Sequence, residues 1–596
     1  MFNKKLILAA FISAIFMTNS ANAVIGPIKI TLNTEYRTSN PVIGDIATTI
    51  KLDKSQIINT GATTFTGLLQ SIPAVSFEGG QGNLRALRLR GNEASHTLLL
   101  LDGHKVTITG GQPNLDVIPL DQIERIEITK GPFSSLYGPG AIGGVIHVFT
   151  DKNVNAISSS KIDISSGSKG TTKINLNTYF KNENSYFDFA VTDFHTDGID
   201  ALGNGELDLI DRKTYGLNLG GQITDDTSFS VNLINTKAII QYDDPYEGTS
   251  WASPVKPDNN LNQMNFGLSQ NYGKRSKINL DLMRQETQRR EDKYKLYTNT
   301  IINETDFDFS KLSLGFSNTV DKDLSNTKNI KHTDLFTQWQ GFIRDNEISL
   351  GTRLIDHDKF SSHTTYNINW AKDIGAETRV NAAFGSATNL PTHFQNNLNI
   401  ERDKTFLKPE RSRSLELGIN SDVAWGNIGL KLYKSKVKDA FDYFDPDSDP
   451  FNQNEYYIND LVADISGAEI TISSEIFGWE VDTNLDFNKA IAIKNTGNLQ
   501  KGRRPNRSIS INLNKSSGKW KRNIFWTARS KVWDRSDHTT GEIGGYGLLN
   551  LSTSYHFTED LNIYLNRNNA LDKNYQMAKG YNTLGKTTTI GLTYNF

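Results

Sequence analysis

From residue 153 to the last residue, Phe596, the chain repeats one pattern: short segments of alternating apolar and polar residues, separated by turns and loops rich in Asp, Asn, Lys and Ser. Period-two alternation marks a strand with one apolar and one polar face. Segments of this type fall at 173–179, 215–219, 229–233, 277–283, 311–316, 347–354, 415–419 and 428–433. At the C-terminus Ile590, Leu592, Tyr594 and Phe596 alternate with Gly591, Thr593 and Asn595. Strands greasy on one side and polar on the other suit a membrane barrel, in which alternate residues face lipid and a wet lumen. A polar mean hydropathy of -0.46 agrees with this, because only every second strand residue must be apolar.

The N-terminus points to export. Lys4 and Lys5 precede an apolar run over 6–17 and then Ala21-Asn22-Ala23, the form of a secretory signal peptide over 1–23 cleaved after Ala23. The run is too short to span the roughly 30 Å hydrocarbon core, and no other long apolar stretch follows. The chain has no cysteine, so it has no disulfide framework and no thiolate site. A net charge of -2 gives no reason to expect nucleic acid as a partner. No catalytic motif stands out: the ten histidines are scattered, and Gly-x-Ser-x-Gly and His-Glu-x-x-His are absent. An enzyme is not expected.

Residues 81–150 differ from everything downstream and read as a compact α+β domain. Strands are expected at 84–90, where Leu87 and Leu89 alternate with Arg88 and Arg90, and at 97–101, an apolar run buried on both faces and closed by Asp102-Gly103. A third is expected at 123–130, before Gly131-Pro132. Glycines 138, 140, 143 and 144 then lead into a strand at 145–149, and glycine at four of seven positions implies tight bending or close packing. Upstream, 43–51 reads as a strand. Residues 62–72 read as a helix, with Phe65, Leu68, Leu69 and Ile72 on one face and Pro73 ending it.

The order LRLRG, LLLLDGHKV, IERIEITKGP and SLYGPGAIGGVIHVFT resembles the plug domain of the TonB-dependent outer-membrane transporters. The resemblance implies an all-β membrane protein: a 22-stranded antiparallel transmembrane β-barrel over 153–596, occluded by an N-terminal α+β plug over 28–152. About 20 residues are available per strand and connection, enough for membrane strands of about 9–11 residues. It further implies a monomer in the outer membrane of a Gram-negative bacterium, bathed in lipid. A periplasmic segment over 24–40 would carry the Ton box at about 28–34. There Ile28, Lys29, Ile30, Thr31, Leu32, Asn33 and Thr34 would pair by strand addition with TonB, which is driven by its inner-membrane complex. Active uptake of a scarce large nutrient follows; a passive porin or a surface adhesin is the alternative of a different class. Arg88, Arg90, Glu124, Arg125 and Glu127 are expected to face the polar inner wall, since enclosed charges need partners or water.

Within that family the cobalamin transporters are the most similar. The resemblance makes Gly79, Gly80, Gly82, Asn83 and Leu84, and then Gly110, Gly111, Asn114 and Leu115, the apical plug segments that touch substrate. Two acidic loops carry Asp200, Asp208 and Asp211, then Asp243 and Asp258. Carboxylates interleaved with Gly and Asn are hard oxygen ligands suited to structural calcium, as in the cobalamin transporters, or form a solvated acidic rim. LKPERSRSLELG at 407–418, with His393 upstream and His104 in the plug, is shared with siderophore and haem receptors, which form the alternative substrate class.

Overall fold

The computed structural model describes residues 41–596 except 43–45, 48, 78, 80–85, 107–113, 151–157, 243–257, 325–328, 445, 447–453, 495–496 and 536–540. From Ser159–Gly167 to Thr587–Asn595 each barrel strand pairs antiparallel with the next barrel strand in the chain, and these two end strands pair with each other, Ile164 opposite Leu592; Val532–Trp533 and Glu542–Ile543 form a small separate hairpin. Gly497–Gln500 and Arg507–Ser517 both pair with Trp479–Lys494 and form one interrupted strand, so the closed barrel has 22 strands, as expected. The strands outrun the segments read from alternation. That at 215–219 extends to Ile210–Thr224 and that at 428–433 to Gly426–Phe444, because ladder pairing continues past the apolar belt into polar residues at both ends.

The two rims differ. At one end the connections are tight turns such as Asp225-Asp226, Arg344-Asp345 and Phe477-Gly478; at the other lie loops 197–209, 390–409 and 569–586. The chain enters the barrel at Ser159 and leaves it at Asn595 on the tight-turn rim, which in outer-membrane barrels faces the periplasm. Side chains alternate as the pattern requires. On Glu410–Val423, Leu415, Leu417 and Ile419 are exposed to the outside while Glu416 is buried inside.

Inside the barrel sits a five-stranded sheet: β1 (Thr49–Asp53), β4 (Thr97–Leu101), β5 (His104–Lys105), β6 (Arg125–Lys130) and β7 (Gly144–Phe149), in the order β1-β6-β7-β4-β5, with β4 and β7 parallel. A hairpin of β2 (Val75–Phe77) and β3 (Leu87–Leu89) and the short helices α1 (Lys54–Asn59), α2 (Phe65–Gln70) and α3 (Ser134–Tyr137) complete it. β4 has the expected bounds and is buried along its whole length. Among the described residues of the expected 84–90 strand, Leu87–Leu89 pair, and the strand ends there because Arg90 and Gly91 both take positive φ and turn the chain away. The expected 62–72 helix shrinks to α2 because Thr64 caps it, accepting a hydrogen bond from the Gly67 amide. Phe65, Leu68, Leu69 and Ile72 do face one core, with Leu87, Leu89, Leu99, Ile126 and Ile146. The glycine run does allow close approach: a Cβ on Gly143 would come within 3.0 Å of the Asn92 side chain.

Candidate functional site

At the long-loop rim a cavity of about 180 Å³ lies between the plug and the barrel seam. Its plug side is formed by Thr60, Thr63, Thr64, Gln70 and Asn114, and its wall side by Thr171, Thr196, Gln241, Tyr242, Asn550, Asn568 and Tyr575. Lys169 is the one cation among its described lining residues, and Asp116 and Asp208 are the two carboxylates. Asp116 is occupied, accepting hydrogen bonds from the amide (3.0 Å) and hydroxyl (2.7 Å) of Thr66. Gln70 donates to the Tyr575 hydroxyl (3.1 Å), so plug and loop 569–586 share one polar network. The chamber presents hydroxyl and amide groups far more than charge.

The expected substrate segments reach this chamber in part. Asn114 lines it, its side-chain oxygen capping the turn at the Asp116 amide (3.2 Å). Leu115 does not: it is 1% exposed, and its side chain belongs to the plug core. Gly79 is buried beside β2, and Gly80, Gly82, Asn83, Leu84, Gly110 and Gly111 lie outside the described residues, as does the Ton box, 28–34.

Of the acidic-loop carboxylates, Asp200, Asp208, Asp211 and Asp258 are among the described residues. The Asp200 carboxylate accepts hydrogen bonds from the amides of Asn204 and Gly205, both at 2.9 Å, and Asp208 is buried and accepts from the Ala201 amide (3.3 Å). On Ile210–Thr224, Arg212 and Thr214 point inward, so Asp211 stands on the outer face, in line with exposed Tyr215. Asp258 shares that outer row, opposite exposed Ile239, which is itself opposite Asp211. Asp208 is thus buried under its loop while Asp211 stands in the outward row of the strand. No three carboxylate or imidazole side chains converge as a metal shell among the described residues, and Asp243 lies outside them.

A second chamber, about 90 Å³, lies on another side of the plug between β5 and the wall, bordered by His104, Lys105, Asp321, His332, Asp334 and Arg353. His104 Nε2 is 3.2 Å from Asp281 of the wall. His393 opens α4 (His393–Glu401), capped by Thr392, and is 2% exposed with Nε2 3.7 Å from Asp321, so it is held at the base of loop 390–409.

Between and below these chambers the wall holds the plug, largely through its backbone. Arg212 donates to the carbonyls of Asp116 (2.7 Å) and Ile118 (3.3 Å); Arg529 to those of Gln70 (2.8 Å), Ile72 (3.2 Å) and Val75; Arg353 to those of Ser135 (3.2 Å) and Leu136. Arg504 binds the Gly91 carbonyl (2.7 Å), and Asn568 that of Gly61 (2.9 Å). Ion pairs add to these. Arg90 meets Glu416 (2.6 Å) and Glu469 (2.9 Å), and Lys130 meets Glu469 (2.9 Å), while His96 Nε2 is hydrogen-bonded to Glu410 (2.7 Å). Glu93 receives Lys501 (2.5 Å) and Arg504 (2.7 Å) from the wall and Arg88 (3.6 Å) from the plug. Burial alone would raise the Glu93 carboxyl, but Arg504, Lys501 and Arg88 hold it well below its ordinary value. Of the charges expected to face the wall, Arg90 does. Glu124 and Arg125 form ion pairs within the plug, with Lys54 (3.5 Å) and Glu127 (3.2 Å).

Sequence reasoning missed the wall side of this grip: Arg212, Arg353, Glu410, Glu469, Arg504 and Arg529. For Arg212 the available signal was a lone charged residue in an inward row that otherwise carries Thr214, Gly216 and Asn218; Arg504 lies outside any strand and offered no such signal.

The TonB-dependent receptor plug domain matches residues 44–145, and the TonB-dependent receptor-like β-barrel matches residues 157–570. The chain is a TonB-dependent receptor. This receptor is 24% identical, over 92% of its length and 91% of the relative's, to the vitamin B12 transporter BtuB of Vibrio vulnificus. In fold it is similar to a mutant form of the ferric enterobactin receptor PfeA of Pseudomonas aeruginosa (TM-score 0.78, 15% identity, covering 92% of this chain and 98% of that one). It is likewise similar to the siderophore receptor PirA of Acinetobacter baumannii (TM-score 0.76, 15% identity, 92% and 98% covered) and to the copper transporter OprC (TM-score 0.77, 15% identity, 92% and 100% covered). As a member of this family it resides in the outer membrane of a Gram-negative bacterium and serves TonB-dependent transport.

Proposed function

We propose that this TonB-dependent receptor imports cobalamin, bound at the outer mouth and released into the periplasm when TonB acts on residues 28–34. The observation that carries the reading is the chemistry of the 180 Å³ chamber, whose hydroxyl and amide lining includes a single cation among the described residues. A large, nearly neutral solute seated at the mouth above it extends peripheral amides into the chamber and finds hydrogen-bond partners there. A polyanionic iron chelate would need several cations to offset its charge. The similarity to BtuB along nearly the whole chain supports the same reading.

The test is titration of the purified receptor with cyanocobalamin, a ferric siderophore and haemin, alongside uptake by cells expressing the intact chain or one lacking 28–34. Saturable cobalamin binding, retained on deletion of 28–34 while uptake disappears, is the expected result. Haemin binding that is lost on His393→Ala, without cobalamin binding, would replace this reading with the haem alternative. Uptake that survives the deletion would remove TonB from the mechanism.

A further inference from the structure

The outer wall carries a charge pattern that transport does not use. On Glu410–Val423 and its neighbour Gly426–Phe444, outward residues pair across the ladder: Ile419 opposite Leu430, Leu417 opposite Leu432, Leu415 opposite Lys434, Arg413 opposite Lys436, Arg411 opposite Lys438. The same rows continue onto the next strands, Leu432 to Ala468 to Phe487, and Lys434 to Ser466 to Lys489. Apolar rows thus give way, within one row, to Arg411, Arg413, Lys434, Lys436, Lys438 and Lys489, all exposed. The carboxylates ion-paired with this patch are Asp439, 2.6 Å from Arg411, and Asp464, 3.9 Å from Lys434. Arg413, Lys436 and Lys438 have no ion pair among the described residues.

Like charges directly opposite in a ladder repel; Asp464, opposite Lys436 on the next strand, and Asp439 offset two of the six cations, and the excess favours an anion bridging the Arg413–Lys436 and Arg411–Lys438 rows. Their height identifies the anion. From the Trp425 turn to the Lys434 row the strand climbs nine residues, about 23 Å at an ordinary barrel tilt, close to the ~25 Å of the apolar band. The cations therefore begin where hydrocarbon ends, on the long-loop, outward-facing leaflet, with their stems directed away from the lumen.

We propose that this patch is a binding site for a phosphorylated glycolipid of the outer leaflet. Its acyl chains would lie against Leu415, Leu417, Leu430, Leu432 and Phe487, and its phosphates would bridge Arg413, Lys436 and Lys438. Guanidinium and ammonium groups in adjacent rows supply the charge-assisted donors that a phosphate needs, and the lipid removes the cross-strand repulsion. The site is independent of the identity of the nutrient.

The experiment measures binding of diphosphoryl lipid A, its dephosphorylated form and inorganic pyrophosphate to the purified receptor by native mass spectrometry. Three proteins are compared: the natural chain, Arg413→Gln/Lys436→Gln/Lys438→Gln, and a control that loses equal charge at the tight-turn rim, Lys274→Gln/Arg344→Gln/Lys521→Gln. The patch variant should bind diphosphoryl lipid A roughly 100-fold more weakly while the control stays within about twofold of the natural chain. Dephosphorylated lipid and pyrophosphate should each bind poorly to all three. All six positions are exposed, and the single variant Lys436→Gln, expected to show a smaller loss in the same direction, covers any assembly failure of the triple. Equal binding by natural and patch proteins, equal loss in the control, or indifference to the lipid's phosphates overturns the proposal.

Discussion

Three residues separate a carboxylate buried under a loop from one on the outer face of the wall. Asp208 is buried under loop 197–209 and holds the Ala201 amide, whereas Asp211 lies on the outer face of its strand. Asp208→Asn removes a charge-assisted acceptor from a buried turn and should cost about 1–2 kcal/mol, with faster proteolysis of the loop. Asp211→Asn should stay within about 0.5 kcal/mol, as exposed substitutions do. Thermal unfolding and limited proteolysis of the two variants separate these outcomes, and equal effects would mean that the two carboxylates act together. The sequence had suggested such a pairing because alternation is legible only where one face is apolar: the strand reads as 215–219, and Asp211, in its polar extension, looks like loop. Leu115 misled for the opposite reason, since a residue beside a polar apical segment can still turn its side chain into the core.

At the scale of elements, β4, β6 and β7 were legible because apolar runs bounded by Asp-Gly, Gly-Pro and glycine clusters have little freedom to be anything else. The anchorage of these elements was not. Arg90 and Glu469 are 379 residues apart in sequence, and nothing local marks one as the partner of the other. The Glu93 cluster shows what such anchorage means for stability. Its carboxyl titrates lower in the folded receptor than in the unfolded chain, so its contribution is complete above the ordinary carboxylate value of 4.5 and is lost as pH falls through the depressed folded value. The melting temperature of the natural receptor should exceed that of Glu93→Gln by a constant amount from pH 7 down to about 4.5, and the gap should close at lower pH. A gap that is unchanged at pH 3, or that widens there, would show that Lys501 and Arg504 do not hold Glu93 as a carboxylate.

For the whole molecule, the barrel and plug were legible as classes, one from sustained alternation and the other from a glycine-rich motif order. The strand number was not, because membrane strands blend into their polar extensions; 22 came from resemblance and is confirmed by ladder closure. What closure and plug together imply is a lumen that is wide but sealed. The plug's carbonyls are gripped by Arg212, Arg353, Arg504 and Arg529 from separate parts of the wall, so thermal motion alone does not free it: several buried hydrogen bonds to charged donors, each about 1.5–3 kcal/mol, would have to break together. A passive porin has no use for such a seal, and an energised importer requires one. In planar bilayers the intact receptor should therefore pass little current, and a chain lacking 28–152 should conduct at least as well as a general porin, since 16- to 18-stranded barrels already leave an aqueous channel. Equal conductance of the two proteins would mean that the plug does not close the pore and would return the porin reading to contention.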